Sequence, residues 1–300
     1  LGTPVTNDNC GIASVTNNAP ATFGIGTTTV IWTVTDNYGN TATCEQTVTV
    51  NDDEAPVFTY VPADETVECD AVPSPAAPVA TDNCDTEVSI VYNGESIIEG
   101  TCSGSYQIVR TWTATDNYNN QTVATQVITV QDTFGPEFTF VPADRIVECS
   151  GVPVVGTPTA TDNCSEVNIV YNGQTRIDGD CPNSYTLLRT WTATDACGNE
   201  TVATQTITVE DSKAPIMDVP ASNLVVNCDG NGNIEALNEW LANNGGAVAH
   251  DNCGQVTWSN NYTGLINGCG ATGTVTVTFV ASDECGNTKP TTATFTIIDE

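Results

Sequence analysis

The chain has 300 residues, with 37 acidic side chains against 6 Lys and Arg and a formal net charge of −31. That charge excludes nucleic acid as a partner and disfavours an anionic membrane surface. Thirteen cysteines against one methionine and one histidine point to disulfides formed in an oxidising compartment, hence to export. No apolar run approaches the roughly 18 residues that a membrane span needs.

In chain order the sequence divides into four units. "VPAD" begins at Val61 and again at Val141, "TDNC" at Thr81 and again at Thr161, and "HDNC" follows at His250. Repetition in register is the first thing to read, because it decides how every other motif is weighed. The expected units are an incomplete first repeat (1–55), two close copies (56–135 and 136–214) and a divergent fourth (215–300). Each is small enough to need a covalent or metal staple.

Local pattern predicts β-structure throughout. In "RTWTATD" (189–195) Trp191 and Ala193 alternate with threonines, and in "TQTITVED" (204–211) Ile207 and Val209 take the inward phase. Gly, Asn, Asp and Pro clusters punctuate the chain as an antiparallel sandwich requires. Trp32, Trp112 and Trp191 each stand four residues before a turn aspartate, with Phe279 in that place in the fourth unit. Large aromatics on the inward phase of a strand are expected in the core rather than as sugar-stacking platforms. One stretch departs from this: "NIEALNEWLANNGG" (233–246) spaces Ile234, Leu237 and Leu241 for a short helix near 233–243, with Asn233 as N-cap and Gly245 as stop.

No catalytic set is evident. His250 stands alone and is expected to be structural. There is no Ser-His-Asp set, phosphate loop, HExxH or CxxC. Carboxylate pairs recur once per repeat, whereas an enzyme has its active site once.

Cysteine pairing follows from strand direction. In 136–214, "FTFVPADRIVEC" carries the chain to one end at Cys149, "TPTATD" returns to Cys164, "VNIVYNG" goes out to Cys181, and "SYTLLRTWTATD" returns to Cys197. About twelve extended residues span roughly 40 Å, while bridged Cα atoms lie within about 7 Å. The expected pairs are therefore Cys149–Cys181 and Cys164–Cys197, with Cys228–Cys269 and Cys253–Cys285 in the fourth unit and Cys69–Cys102 in the second. Tyr118 replaces the cysteine that would face Cys84, which is expected as a buried and inert thiol, with an intermolecular bridge as the alternative.

"TVTDNYGNTATCEQTVTVNDDEAP" (33–56) resembles the end of a hyalin-type (HYR) repeat, an immunoglobulin-like module. "VPADRIVEC…TATDNC…RTWTATDACGN…TQTITVED" (141–211) is similar to a related module found in tandem in large surface proteins of Bacteroidota, including adhesins of gliding flavobacteria. The resemblance covers nearly the whole chain and is thinnest over 215–250. It implies β-sandwiches, an extracellular or cell-surface location and an adhesive or spacer role, without a catalytic site. In HYR-type repeats the cysteine at the position of Cys44 pairs with one near the start of the first strand. Here that partner would precede Leu1, so the first strand is expected from upstream residues or, in a filament, from another molecule.

The expected architecture is thus all-β: tandem immunoglobulin-like sandwiches in an elongated rod, with one inserted helix. Linkers ending in Pro56, Pro136 and Pro215 favour stiffness. The expected function is a non-catalytic structural or adhesive stalk. Its partners would be neighbouring repeats of a longer chain or filament, with a surface glycan or protein recognised by the last repeat as the alternative reading. Calcium is the expected cofactor. Asp82 and Asp116, Asp162 and Asp195, and Asp251 and Asp283 end strands in pairs, and Asp52, Asp132 and Asp211 enter from the preceding linker. Three carboxylates with turn carbonyls and Asn83, Asn163 or Asn252 suit a hard cation with six to eight oxygen ligands. Turn capping is the competing explanation for the strand-end aspartates.

Overall fold

A computed structural model of the chain describes residues 1–267 and 272–299. It contains two compact units, Leu1–Asp132 and Thr133–Glu300, each carrying two of the repeats. The structure is all-β, with a single α-helix among the described residues.

The third repeat shows the pattern. Glu137–Phe140 pairs antiparallel with Thr159–Thr161 in a two-stranded sheet. The chain then crosses to a four-stranded sheet ordered Arg145–Glu148, Glu200–Glu210, Tyr185–Thr194, Asn168–Asp178. Arg145–Glu148 runs parallel to its neighbour and the other pairs are antiparallel. The second repeat has the same order with Glu65–Glu68, Gln121–Gln131, Tyr106–Thr115 and Ser89–Glu99, and with Val57–Tyr60 paired to Val79–Thr81.

The expected single opening strand is therefore two strands that change sheets at "VPAD". Proline cannot donate to a ladder, and the aspartate that follows takes up the break. Asp144 Oδ1 accepts from the Thr206 amide at 2.7 Å, and Ala143 O accepts from Gln205 Nε2 at 2.7 Å. Asp64, Ala63 and Gln126 repeat the arrangement in the second repeat, and Asn223 replaces the aspartate in the fourth.

The first repeat is a three-stranded sheet of Ile12–Asn17, Gly26–Asp36 and Thr41–Val50. The fourth joins Leu224–Asn227, Thr288–Ile298, Gly273–Ser282 and Thr257–Asn260. Period-two burial fills each interior: Trp32, Trp112, Trp191 and Phe279 are all buried, as are Ile207 and Val209.

The helix runs Ile234–Ala242, but its inward face differs from the expected one. Leu237 and Trp240 are the buried residues, whereas Ile234 is 62% exposed. Asn233 stands at the N-cap with a left-handed backbone and no side-chain cap. Its Nδ2 instead donates to Asn227 O at 2.9 Å. The helix ends at Ala242 with Asn243 as its C-cap, ahead of the expected stop. Gly245 lies in the turn that follows, at φ 66°, and an added Cβ there would come within 3.0 Å of the Phe279 ring.

Candidate functional site at the repeat junctions

Every strand-end turn uses one device. In D-x-x-x-N, the aspartate Oδ1 accepts from the amides two and four residues on, and Oδ2 accepts from the asparagine side chain. Asp116 does this with Tyr118 and Asn120, Asp195 with Cys197 and Asn199, and Asp283 with Cys285 and Asn287. Asp36 and Asn40 repeat it in the first repeat. At Asp36 the Asn40 side-chain bond leads in holding the carboxyl below its ordinary range. At Asp116 burial pushes upward, but the hydrogen bonds from Asn120 and the turn amides outweigh it and the net direction is down.

The "DNC" aspartates are half engaged. Asp82, Asp162 and Asp251 each accept two turn amides on Oδ1, while Oδ2 of Asp162 and of Asp251 is buried with no hydrogen-bond partner. The linker aspartates go furthest. Asp52 Oδ2 and both carboxylate oxygens of Asp211 are buried without a bond of ordinary geometry, and Asp211 is only 8% exposed. The expected cation ligands thus include turn caps, half-used acceptors and, at Asp52 and Asp211, carboxylates with buried oxygens left without a bond of ordinary geometry. A buried polar group without a partner is costly and calls for an explanation.

At the junction of the third and fourth repeats, oxygens of Asp211, Asp251 and Asp283 all lie within 4.8 Å of one another. Burial first, then the charges of Asp251, Asp283 and Glu148, push the Asp211 carboxyl upward, with only the Lys213 amide pulling the other way. Asn287 Nδ2 donates to Asp211 O at 2.9 Å and ties the linker to the turn. At the junction of the first and second repeats the equivalent set is Asp52, Asp85 and Asp116, and a second set joins Asp52, Asp82 and Cys84. Asn120 Nδ2 donates to Asp52 O there. The sequence pattern missed Asp85, whose Oδ2 accepts from the Asn117 amide at 2.8 Å. Asp132 closes the first unit, and Asp162 and Asp195 belong to the second.

The disulfides correct the expected pairing. Cys149 is bonded to Cys253 and Cys181 to Cys285, with Cα separations of 5.7 and 5.2 Å. Neither Cys149–Cys181 nor Cys253–Cys285 exists. The strand-direction argument assigned the right cysteines to the right ends, but it assumed that each repeat closes on itself. Two cysteines at the far end of one repeat instead meet two at the near end of the next. Cys69, Cys102, Cys164 and Cys197 are disulfide-bonded as well. Cys269, of the expected pair Cys228–Cys269, lies outside the described residues. Cys10, Cys44, Cys84 and Cys228 are free among the described residues. Cys84 is exposed rather than buried; desolvation, then Asp52, Asp82, Glu54 and Asp85, raise its thiol above the ordinary range.

His250 is exposed, with Nδ1 2.7 Å from Asp218 Oδ2.

Residues 2–50 match the HYR domain, and residues 58–130 match the HYR-like domain with 4 cysteines. Hyalin of Strongylocentrotus purpuratus is 31% identical over 94% of this chain, and hyalin of Lytechinus variegatus is 30% identical over 74% of it. The chain spans 24% and 44% of those two proteins. Among solved structures, the protocadherin gamma B4 extracellular domain aligns over 98% of this chain and 60% of its own at 13% identity, with a TM-score of 0.36. That score is too low to transfer fold or function. The chain carries HYR-type repeats and is extracellular, and its disulfides suit an oxidising location. No described helix is long and apolar enough to cross a membrane.

Proposed function

We propose that the chain is a non-catalytic, adhesive stalk segment of a surface protein, with its third repeat stapled to its fourth. The observation that carries the reading is that Cys149–Cys253 and Cys181–Cys285 join successive repeats. A bond of this kind removes bending freedom at a junction. It also gives tension a route that bypasses the residues between its cysteines, so most of the third repeat is shielded from an applied load. Resemblance over 141–211 to surface modules of gliding Bacteroidota favours a bacterial cell surface and a filament of such repeats.

Calcium at the junctions belongs to this reading. Its proposed ligands are Asp52, Asp82 and Asp116 in the first unit, and Asp211, Asp251 and Asp283 in the second. The buried oxygens of Asp211 support it, since a hard cation supplies a positive charge where the only described help is the Lys213 amide.

Single-molecule pulling tests the stalk. Under oxidising conditions the third and fourth repeats should release little chain length, and reductant should release much more. Full extension of both repeats without reductant would sink the reading.

A second reading, in which the fourth repeat binds a glycan or protein, is favoured by a cleft of ≈ 330 Å³ beside the helix. Leu224, Ala236, Glu239 and Trp240 line part of it. Glycan-array binding by the intact chain, lost on replacing Glu239, would promote that reading over the stalk.

A further inference from the structure

The two junctions that lie inside the compact units carry the same acidic apparatus but different covalent chemistry. Both linkers end in a fully buried proline, Pro56 and Pro215. In both, the turn asparagine holds the linker aspartate's carbonyl, Asn120 to Asp52 and Asn287 to Asp211. In both, a linker carboxylate with a buried, unanswered oxygen faces carboxylates of the following repeat.

At the later junction two disulfides hold the repeats together whatever the charges do. Asn183 Nδ2 also donates across it to Glu284 Oε2 at 3.1 Å. Among the described residues the earlier junction has neither bond. Its first repeat offers no cysteine between Asn17 and Gly26, the stretch that corresponds to Cys181 in the third repeat. Its second repeat leaves Cys84 free and carries Tyr118 where Cys197 and Cys285 stand in later repeats. The lost cysteine is matched by its neighbour: the preceding repeat has no cysteine over 18–25, so one at 118 would lack the partner that Cys181 gives Cys285.

We infer that the junction between the first and second repeats is a cation-operated hinge, closed when a divalent cation neutralises Asp52, Asp82, Asp85 and Asp116, whereas the junction between the third and fourth repeats stays closed with or without the ion. The inference rests on the calcium reading and adds which junction responds. Four carboxylates gathered around one linker repel one another. Here the opposing attachments are hydrogen bonds from Asn120 to Asp52 O and from Asn83 to Glu54, against two covalent bonds at the other junction.

Hydrogen exchange on the intact, disulfide-bonded chain tests this, with ion binding measured on the same sample by calorimetry with calcium alone. Chelation with EGTA should speed exchange at the amides of 52–56 and 117–120 by at least roughly tenfold. Exchange at 211–215 and 284–287 should change little. Replacing Cys149, Cys181, Cys253 and Cys285 with serine should transfer the calcium dependence to the second set. If that variant does not fold, the wild-type comparison of the two junctions still decides. Absence of bound calcium would overturn both the calcium reading and the hinge. Bound calcium with an equal response at the two junctions, or none at 52–56, would overturn the hinge alone.

Discussion

The third and fourth repeats build the same sheet and close it in two ways. In the third, Arg189 and Gln205 face each other across neighbouring strands inside the repeat, and Arg189 is 3% exposed. Its guanidinium donates to Pro153 O, Val154 O and Gln174 Oε1, pinning the proline-rich loop over the sheet. In the fourth, Val277 and Ala293 occupy the corresponding pair, and the loop has become the helix. Trp240, 7% exposed, meets Phe279 edge-on at 5.2 Å and Phe295 at 5.7 Å. A polar pin has been exchanged for an apolar lid, and the three changes make sense only together. An arginine left under the helix would lose its carbonyl partners, and a valine under the loop would leave those carbonyls unanswered.

The largest effect should come from the lid. Trp240→Ala removes the side chain that seals the apolar cluster of Val277, Phe279 and Phe295, and such truncations cost about 3–5 kcal/mol. Denaturant unfolding followed by exchange in the strand Gly273–Ser282 should show the fourth repeat melting early while the third is unchanged. A loss under about 1 kcal/mol would mean that the helix is an ornament on a sheet already closed.

Removing the pin should cost less. Arg189→Ala leaves the carbonyls of Pro153 and Val154 without their donor, a loss of about 1–3 kcal/mol, and frees the loop before Thr159. Proteolysis near 153–156 should accelerate in the variant. If the loop stays as resistant as in the wild type, the pin and the lid are not equivalent and the comparison fails.

Much of this was legible in the sequence, and the failures share a cause. Strand phase identified Trp191, Ile207 and Val209 as core because period-two patterning is local. The helix was found by its spacing, yet Trp240 was missed as its anchor and Ile234 was wrongly turned inward, because a short helix is oriented by what it packs against. The disulfides failed in the same manner. Strand direction fixes which end a cysteine occupies, but whether it meets its own repeat or the next is settled by stacking. The orphaned oxygens of Asp211 were equally invisible: both Asp211 and Asp283 are buried, and only their folded partners separate Asp283, which is satisfied by its own turn, from Asp211, which is not.

Gly245→Ala probes the lid from its hinge. The residue sits at φ 66°, where a side chain costs about 1–2 kcal/mol, and a Cβ would approach Phe279 at 3.0 Å and Ala221 at 3.1 Å. Helix exchange over Ile234–Ala242 should quicken, and thermal melting of the fourth repeat should fall by less than for Trp240→Ala. An effect as large as that of Trp240→Ala would show that the turn, rather than the tryptophan, holds the lid.

The smallest effect lies where the two repeats share a border, and its sign is the point. Asp211 leaves the third repeat and is buried at the near end of the fourth, with its carboxyl raised by burial and by Asp251 and Asp283. A raised carboxyl means that the fold prefers the protonated form. Its stabilising contribution is therefore complete below the ordinary value of 3.8 and is lost as pH rises through the higher folded value. Glu148, at the same border, runs the other way. The Ser212 hydroxyl bond leads in lowering it, so its contribution is lost as acid carries the pH down through its folded value. Asp211→Asn isolates the first group. In EGTA the variant should melt higher than wild type at neutral pH, and the advantage should shrink as the pH approaches the range where wild-type Asp211 is itself protonated. In calcium the order should reverse, because the amide supplies no charge to the ion. A variant that melts below wild type in EGTA at neutral pH would show that the buried carboxylate already has an adequate partner within the protein, and would remove the strongest physical reason for placing a cation there.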